Sequence, residues 1–450
     1  MLQAILSNLK RIPSMVFYGK VSAVLGLSVK VIGFPLHAKM GSRVQFMMGD
    51  ALTPIYGEII GFQENHCLVM PFGLLECISP GTRVQLLSDQ VAVYPHPTWL
   101  GRVLNGLGEA VDDKPPLMHG TVPYALRATP PPAHKRRRVG RRIDVGVRAI
   151  NTFTTLCGGQ RMGIFAGSGV GKSVLLSQLA KFTDCDVAVI GLIGERGREV
   201  QEFIEDYLGV EGLKRSIVVQ ATSDEPALMR RQAAFLTLTM AEYFRDQGLH
   251  VLCLMDSVTR FAMAQREIGL ACGEPPTTKG YPPTVFAEMP KLLERAGPGC
   301  GTQGDITGIF TVLVEGDDHN EPISDTVRGI LDGHIVLERS IAERGRFPAM
   351  NILRSISRTM PDCNHIEEGD VINFGKRSLA TYGDMEDLIR LGAYRKGSSA
   401  DVDESIRLQP ALEHFLSQAK GERAFMDEGF AELAHILGKP TPARFGEPTV

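Results

Sequence analysis

Ala166-Gly167-Ser168-Gly169-Val170-Gly171-Lys172-Ser173 has the residue types and spacing to hold a polyphosphate. Glycines at this spacing let backbone N–H groups close around phosphate oxygens, Lys172 reaches the β- and γ-phosphates, and the Ser173 hydroxyl ligates Mg²⁺. The expected binding set is Gly167, Ser168, Gly169, Val170, Gly171, Lys172, Ser173 and Val174. The first position of the pattern is Ala166 rather than glycine, a departure of one methyl group. A merely structural glycine turn has no need of the Lys-Ser pair.

Two more segments carry the charge such a ligand requires. Ile193 runs into Gly194-Glu195-Arg196-Gly197-Arg198-Glu199, and Met255 runs into Asp256-Ser257-Val258-Thr259-Arg260-Phe261. Glu195 is expected beside the γ-phosphate, where a carboxylate orients and polarises an attacking water. Arg196 is placed to neutralise charge on that phosphate. Asp256 is expected near Ser173, serving Mg²⁺ directly or from behind its ligands. Phosphoryl transfer asks for little beyond such positioning and charge stabilisation.

These groups converge only if the chain puts them on one edge of a sheet. Met162-Gly163-Ile164-Phe165 reads as a strand entering the glycine loop, and Val174 to Leu179 as the helix leaving it. The apolar runs Val187–Ile193, Ile217–Val219, Val251–Met255 and Ile309–Val314 read as parallel strands buried on both faces. The carboxyl ends of such strands share the edge where ligands bind. The expectation is α/β: a RecA-like P-loop core, doubly wound, from Ile143 to about Met360.

Flanking segments differ in texture. From Phe17 to Tyr94, short β-rich runs alternate with glycine and proline turns, the pattern of a small antiparallel barrel. A linker follows with Pro130-Pro131-Pro132 and the basic run His134 to Arg142, read as a solvated connector or a subunit contact rather than a nucleic-acid site. Past Met360 the strand signals fade, and Met385–Gly392 and Leu408–Leu437 have helical periodicity. The expected domains are residues 1–94, an N-terminal barrel with a short leading helix; 95–360, the nucleotide-binding core with its entry linker; and 361–450, a C-terminal helical domain. Leu2, Ile5, Leu6 and Leu9 fall on one face of that leading helix.

Composition is that of a large soluble enzyme. The 450 residues are 44% hydrophobic and 22% charged with a formal net charge of −3, which gives no bulk attraction to nucleic acid or anionic membranes. Eight scattered cysteines without a C-x-x-C pair read as free thiols in a reducing compartment. Nothing is long and apolar enough to span a bilayer.

From Asp144 to about Arg395 the text resembles the catalytic core of rotary-type hexameric ATPases, and within them the flagellum-specific ATPases of type III protein export. The carrying motifs are Gly158 to Ser173, Ile193 to Val200, Asp256 to Ala262, Gly280 to Phe286, Leu292 to Gly297 and Pro322 to His334. Gly101 to Gly108, just after the barrel, fits the same family. The resemblance implies that Arg358, in Ser355-Ile356-Ser357-Arg358, is an arginine finger acting on a neighbouring subunit's site. It implies that Phe347 lies against adenine; a core phenylalanine is the other reading. Met350, in Pro348-Ala349-Met350-Asn351, stands where the family has Val, Ile or Leu. Catalysis is thus expected from Lys172, Glu195, Arg196 and Arg358, with ATP and Mg²⁺ as cofactors.

The resemblance further implies a homohexamer, cytoplasmic and peripherally associated with the inner-membrane export apparatus. It implies a stalk-like regulator at the N-terminus, a central stalk protein, chaperone–substrate complexes and a membrane export gate as partners, and no nucleic acid. The rival readings are a catalytic subunit of a rotary ATP synthase and a virulence-type III secretion ATPase. A non-catalytic ring subunit would carry Gln at Glu195, and an RNA-translocating ring would need an aromatic, basic surface.

Overall fold

Alternation of apolar and polar residues closes the first part of the chain into a barrel. The computed structural model describes residues 15–34, 38–48, 54–88, 92–314 and 321–442. The leading helix expected from Leu2 to Leu9 lies outside the described residues. Strands β1 (Phe17–Leu25), β2 (Ser28–Ile32), β3 (Arg43–Met47), β4 (Ile55–Gln63), β5 (His66–Pro71) and β6 (Arg83–Ser88) pair antiparallel in the order β1-β2-β5-β4-β3-β6, and β6 returns to β1. Closure leaves no free edge. Val21, Val29, Val31, Val44, Phe46, Ile59, Val69 and Val84 fill the interior.

The outer face of β4 and β5 is apolar too, because it packs on the next unit. Ile60, Leu68 and Met70 meet Leu228, Ala264 and Ile268. Glu58 reaches across the same joint to Arg231 at 2.7 Å, both side chains almost fully buried, and to Arg127 at 3.1 Å.

The central sheet has strands β7 (Val103–Leu104), β8 (Arg161–Ala166), β9 (Val187–Glu195), β10 (Ser216–Thr222), β11 (His250–Asp256), β12 (Asp305–Leu313), β13 (Gly333–Leu337) and β14 (Met350–Ser357). Their spatial order is β14-β13-β8-β12-β11-β9-β10-β7, with a two-residue strand, Gly297–Pro298, beside β12. From β13 to β7 every pairing is parallel, and β14 is antiparallel to β13. The expected runs lie in these strands, which reach up to four residues beyond them, except that Val314 falls just past the end of β12. Their residues are apolar throughout because both faces are covered. Helices Ala227–Asp246, Val258–Ala271 and Pro283–Leu293 cover one face. The glycine-loop helix, Lys172–Phe182, and the C-terminal helices cover the other.

Those C-terminal helices are Ile366–Arg390, Ala400–Leu416 and Met426–Ile436. Glu368 forms an ion pair with Arg142 in which each side chain is only 2% exposed, and the Phe153 and Phe415 rings meet edge to face at 6.5 Å. The run read as helical from Leu408 to Leu437 is interrupted from Ser417 to Phe425. There the chain turns inward, with the Gln418 N–H donating to Phe347 O at 2.8 Å.

The basic linker is also less free than its composition suggests. Arg136 donates to the carbonyls of Glu294 and Ala296, Arg137 pairs with Asp305 at 2.7 Å, and Arg142 is buried on Glu368. These three arginines fasten the linker to its own core, so it is not a solvated connector there. Backbone carbonyls that a charge run cannot announce provide much of the anchorage. No helix among the described residues is long and apolar enough to cross a membrane.

Candidate active site

The glycine loop leaves β8 at Ala166 and enters its helix at Lys172. Gly171 caps that helix with φ 85° and no side-chain cap, so the first-turn N–H groups face whatever binds at the loop. A left-handed backbone with this φ favours glycine. A Cβ at position 171 would also stand 3.0 Å from the Phe347 ring.

Parallel register brings the charged strand ends to the loop. Glu195 ends β9 and Asp256 ends β11, while β12 separates β11 from β8. Thr311 on β12 donates its hydroxyl to Asp256 Oδ1 at 2.6 Å. The Lys172 ammonium is hydrogen-bonded to the same carboxylate oxygen and lies 3.6 Å from Glu195 Oε1. Asp256 thus joins the loop through Lys172, the residue next to Ser173. Gly194, at φ 71°, makes the final turn; a Cβ there would be 2.8 Å from Arg260 Cβ.

Burial sets the electrostatics. It disfavours the charged form of Lys172, but the Asp256 and Glu195 carboxylates outweigh it and hold the lysine above its ordinary pKa. Glu195 is pushed up to about 7, first by burial and then by the Asp256 charge, with Lys172 offsetting part of the rise. Its Oε1 is buried without a hydrogen-bond partner. A carboxylate poised near neutrality with a free oxygen suits proton or water handling.

A cavity of about 670 Å³ opens over these groups, bordered by Gly167, Ser168, Lys172, Ser173, Glu195 and Arg196. Arg196 is 82% exposed and pairs with Glu199 at 3.6 Å. Arg260 and Arg339 border the same cavity and were not singled out from sequence. Arg260 has a buried Nε without a partner, and Arg339 Nη2 is 3.5 Å from Ser168 O. Arg260 could have been found, since it lies about one helical turn past Asp256. Arg339 carries no local signal, standing far along the chain from the loop it touches.

A second cavity of about 600 Å³ adjoins the first at Gly171 and Val174. Phe347, 40% exposed, forms one wall and the inward turn around Ala419 another. The turn is held by Gln418, whose amide donates to Gly146 O and Glu422 O and accepts from Arg148 N–H. Phe347 is therefore a cavity wall, not a core side chain. Arg358 is exposed at the end of β14 and borders neither cavity of its own chain; its N–H donates to Asp332 O at 2.9 Å.

The oxygen donors suit a hard cation. Ser173, Asp256 and Glu195 offer a hydroxyl and carboxylates, and two carboxylates outnumber the single ammonium of Lys172. Among the described residues no group of three or more His, Cys, Asp or Glu could hold a metal by itself.

A glycine loop joining a parallel strand to a helix, with acidic residues ending neighbouring strands, defines a P-loop nucleotide hydrolase. Residues 146–357 match the ATP synthase alpha/beta family, nucleotide-binding domain, and residues 370–435 match the T3SS EscN ATPase C-terminal domain. The flagellum-specific ATP synthase of Caulobacter vibrioides is 57% identical over 441 residues, covering 97% of this chain and 99% of that protein. A type 3 secretion system ATPase of Xanthomonas euvesicatoria is 48% identical, covering 89% and 90%. The assembled ATPase EscN of enteropathogenic E. coli superposes with a TM-score of 0.87 at 39% identity, over 93% of this chain and all of that one. EscN in complex with its central stalk EscO gives 0.85 at 38%, with the same coverage. The chain belongs to the flagellum-specific and type III secretion ATPases, and it is an ATPase of protein export.

Proposed function

We propose that Mg-ATP is hydrolysed in the cavity over Lys172, Glu195 and Asp256, at the boundary between two copies of this chain. The observation that carries this reading is the buried Lys172–Asp256–Glu195 cluster directly beneath the glycine loop. Residues 167–174 hold the phosphates through backbone N–H groups. Lys172 moves from Asp256 to the β- and γ-phosphates, which frees Asp256. Ser173 and Asp256 would hold Mg²⁺, which would offset phosphate charge. Glu195 accepts a hydrogen bond from the attacking water and orients it in line with the γ-phosphate. Arg196 is exposed at the rim, where it can swing toward the developing charge. Phe347 stacks on adenine in the adjoining cavity.

Arg358 is exposed and borders neither cavity of its own chain, so it is free to serve a neighbour's. A ring of six copies closes such head-to-tail contacts without leaving a free end. In the export setting, hydrolysis drives unfolding and chaperone release of flagellar substrates at the cytoplasmic face of the inner membrane. A stalk-like regulator at the N-terminus, a central stalk in the ring, chaperone–substrate complexes and the export gate are the partners. The assembly of EscN and its complex with a central stalk support the oligomer and the stalk.

The test replaces Lys172 by Ala in the native organism, with swimming and extracellular flagellar subunits as readouts. Loss of both, with the protein folded and abundant, is expected. Normal filaments with a different secreted set missing would assign the chain to a virulence-type injector instead.

A further inference from the structure

The ammonium of Lys420 rests on an aromatic ring rather than on a carboxylate. Lys420 belongs to the inward turn between the C-terminal helices and borders the second cavity, the one walled by Phe347. Its Nζ lies over the Tyr207 ring, 4.0 Å from the centroid. Tyr207 in turn borders the cavity over the glycine loop. The ammonium therefore stands where the two cavities approach each other. Among the described residues Lys420 makes no ion pair. The nearest carboxylate along the turn, Glu422, is already engaged by Arg148 at 2.8 Å and by the Ala419 N–H at 2.9 Å.

The backbone beside Lys420 is fixed, while its side chain is exposed. Gln178, on the glycine-loop helix, donates its amide to Ala419 O at 3.1 Å, and the buried Gln418 amide donates to Glu422 O at 2.7 Å. Residues on both sides of Lys420 are thus tied down, one of them to the helix that starts at Lys172. The ring is fixed as well. Tyr207 donates its hydroxyl to Glu202 at 2.9 Å and meets the Phe203 ring edge to face at 6.3 Å. Gly171 and Val174 border both cavities. A nucleotide with adenine at Phe347 and its outer phosphates in the glycine loop lays its ribose and α-phosphate across them.

We propose that Lys420 is a nucleotide-binding residue whose ammonium leaves the Tyr207 ring for the α-phosphate of a nucleotide spanning both cavities. An exposed cation over a ring is held weakly, and a phosphate oxygen holds an ammonium more strongly. The flexible stem of lysine lets the head move while the anchored backbone stays in place. This cation comes from the C-terminal helices, on the side of the nucleotide away from the glycine loop. Binding therefore draws the turn onto a ligand that Lys172 grips from the other end. The α-phosphate is common to ATP and ADP, so the contact outlasts hydrolysis. It strengthens binding and leaves bond breaking alone, the pattern that moves KM and spares kcat.

This inference rests on the nucleotide reading of the two cavities, and its test separates the two. The full chain and Lys420→Met, which loses the charge but keeps most of the stem, are titrated calorimetrically with Mg-ADP and with the Mg²⁺ complex of the β,γ-imido analogue of ATP. Both ligands should weaken by the same factor, about tenfold, the scale of one charge-assisted hydrogen bond. KM for ATP should rise to match, with kcat within about twofold of wild type. Lys420→Arg should keep most of the affinity, and neither variant should melt lower without nucleotide, since the side chain is exposed. Equal affinities of wild type and Lys420→Met would overturn the contact. A loss confined to the triphosphate analogue would overturn its placement at the α-phosphate. A loss that Lys420→Arg shares in full would overturn the role of the charge. Failure of the nucleotide reading would look different, because wild type itself would bind neither ligand.

Discussion

The ammonium of Lys172 is bound to the carboxylate of Asp256, two strands away from the strand that feeds the loop. Phosphate and Asp256 thus compete for one cation. Lys172→Ala leaves Asp256 and Glu195 as two buried carboxylates with no cation between them. Hydrolysis should be lost. The apo protein should also melt lower than wild type, and by more at pH 8 than at pH 6, since protonating one carboxylate relieves the repulsion. Thermal unfolding at the two pH values checks this; an equal loss at both would count against the shared cation.

Glu195 gives a pH signature of its own. With its pKa raised to about 7 in the folded chain, the carboxylate is protonated below that and cannot orient water. With Mg²⁺ saturating, kcat/KM should rise tenfold per pH unit up to about 7 and then level, because this ratio reports the free enzyme. The stability sign is opposite. A raised folded pKa contributes stability that is present below the ordinary value of 4.5 and lost as pH rises to about 7. Glu195→Gln should therefore gain stability relative to wild type across that window. A kcat/KM flat from pH 6 to 8 would rule out Glu195 as the titrating group.

Much of this site is readable in the residues themselves, and the reason is geometric. Loop, Glu195 and Asp256 all lie at strand ends, and parallel strands of one sheet end on one edge. The barrel shows equally well, because Val21, Val29 and Val44 stand between polar neighbours. The second cavity was legible only at Phe347. Its far wall, around Ala419, comes from an interruption between helices that periodicity runs straight through. Arg339 beside Ser168, and Arg136 on the carbonyls of Glu294 and Ala296, are contacts between distant segments, and no local spacing encodes those.

Arg358 should behave as a residue borrowed by the next subunit. Arg358→Ala is expected to lower turnover by roughly 10³-fold, the scale of an arginine finger. Mixing it with Glu195→Gln should restore part of the activity, since some boundaries then pair an intact Glu195 with an intact finger. Absence of rescue at every mixing ratio would place Arg358 in a purely structural role.

The joint to the C-terminal helices rests on a buried charge pair. Glu368→Ala strands Arg142 in a site where each side chain is 2% exposed. The expected loss is about 3–5 kcal/mol, the usual cost of leaving one partner of a buried pair. Denaturant unfolding measures it. A loss below about 1 kcal/mol, the level of exposed pairs, would show that water reaches this joint.

Glu195→Gln, read simultaneously for nucleotide binding and for phosphate release, tests the assignment of this cavity to ATP hydrolysis most directly. The substitution keeps shape and polarity and removes only the charge that holds the water. Binding of Mg-ATP within a few fold of wild type is expected, with turnover lower by about 10²-fold or more. Turnover near the wild-type rate would contradict the assignment, and loss of binding would make Glu195 a structural support of the loop.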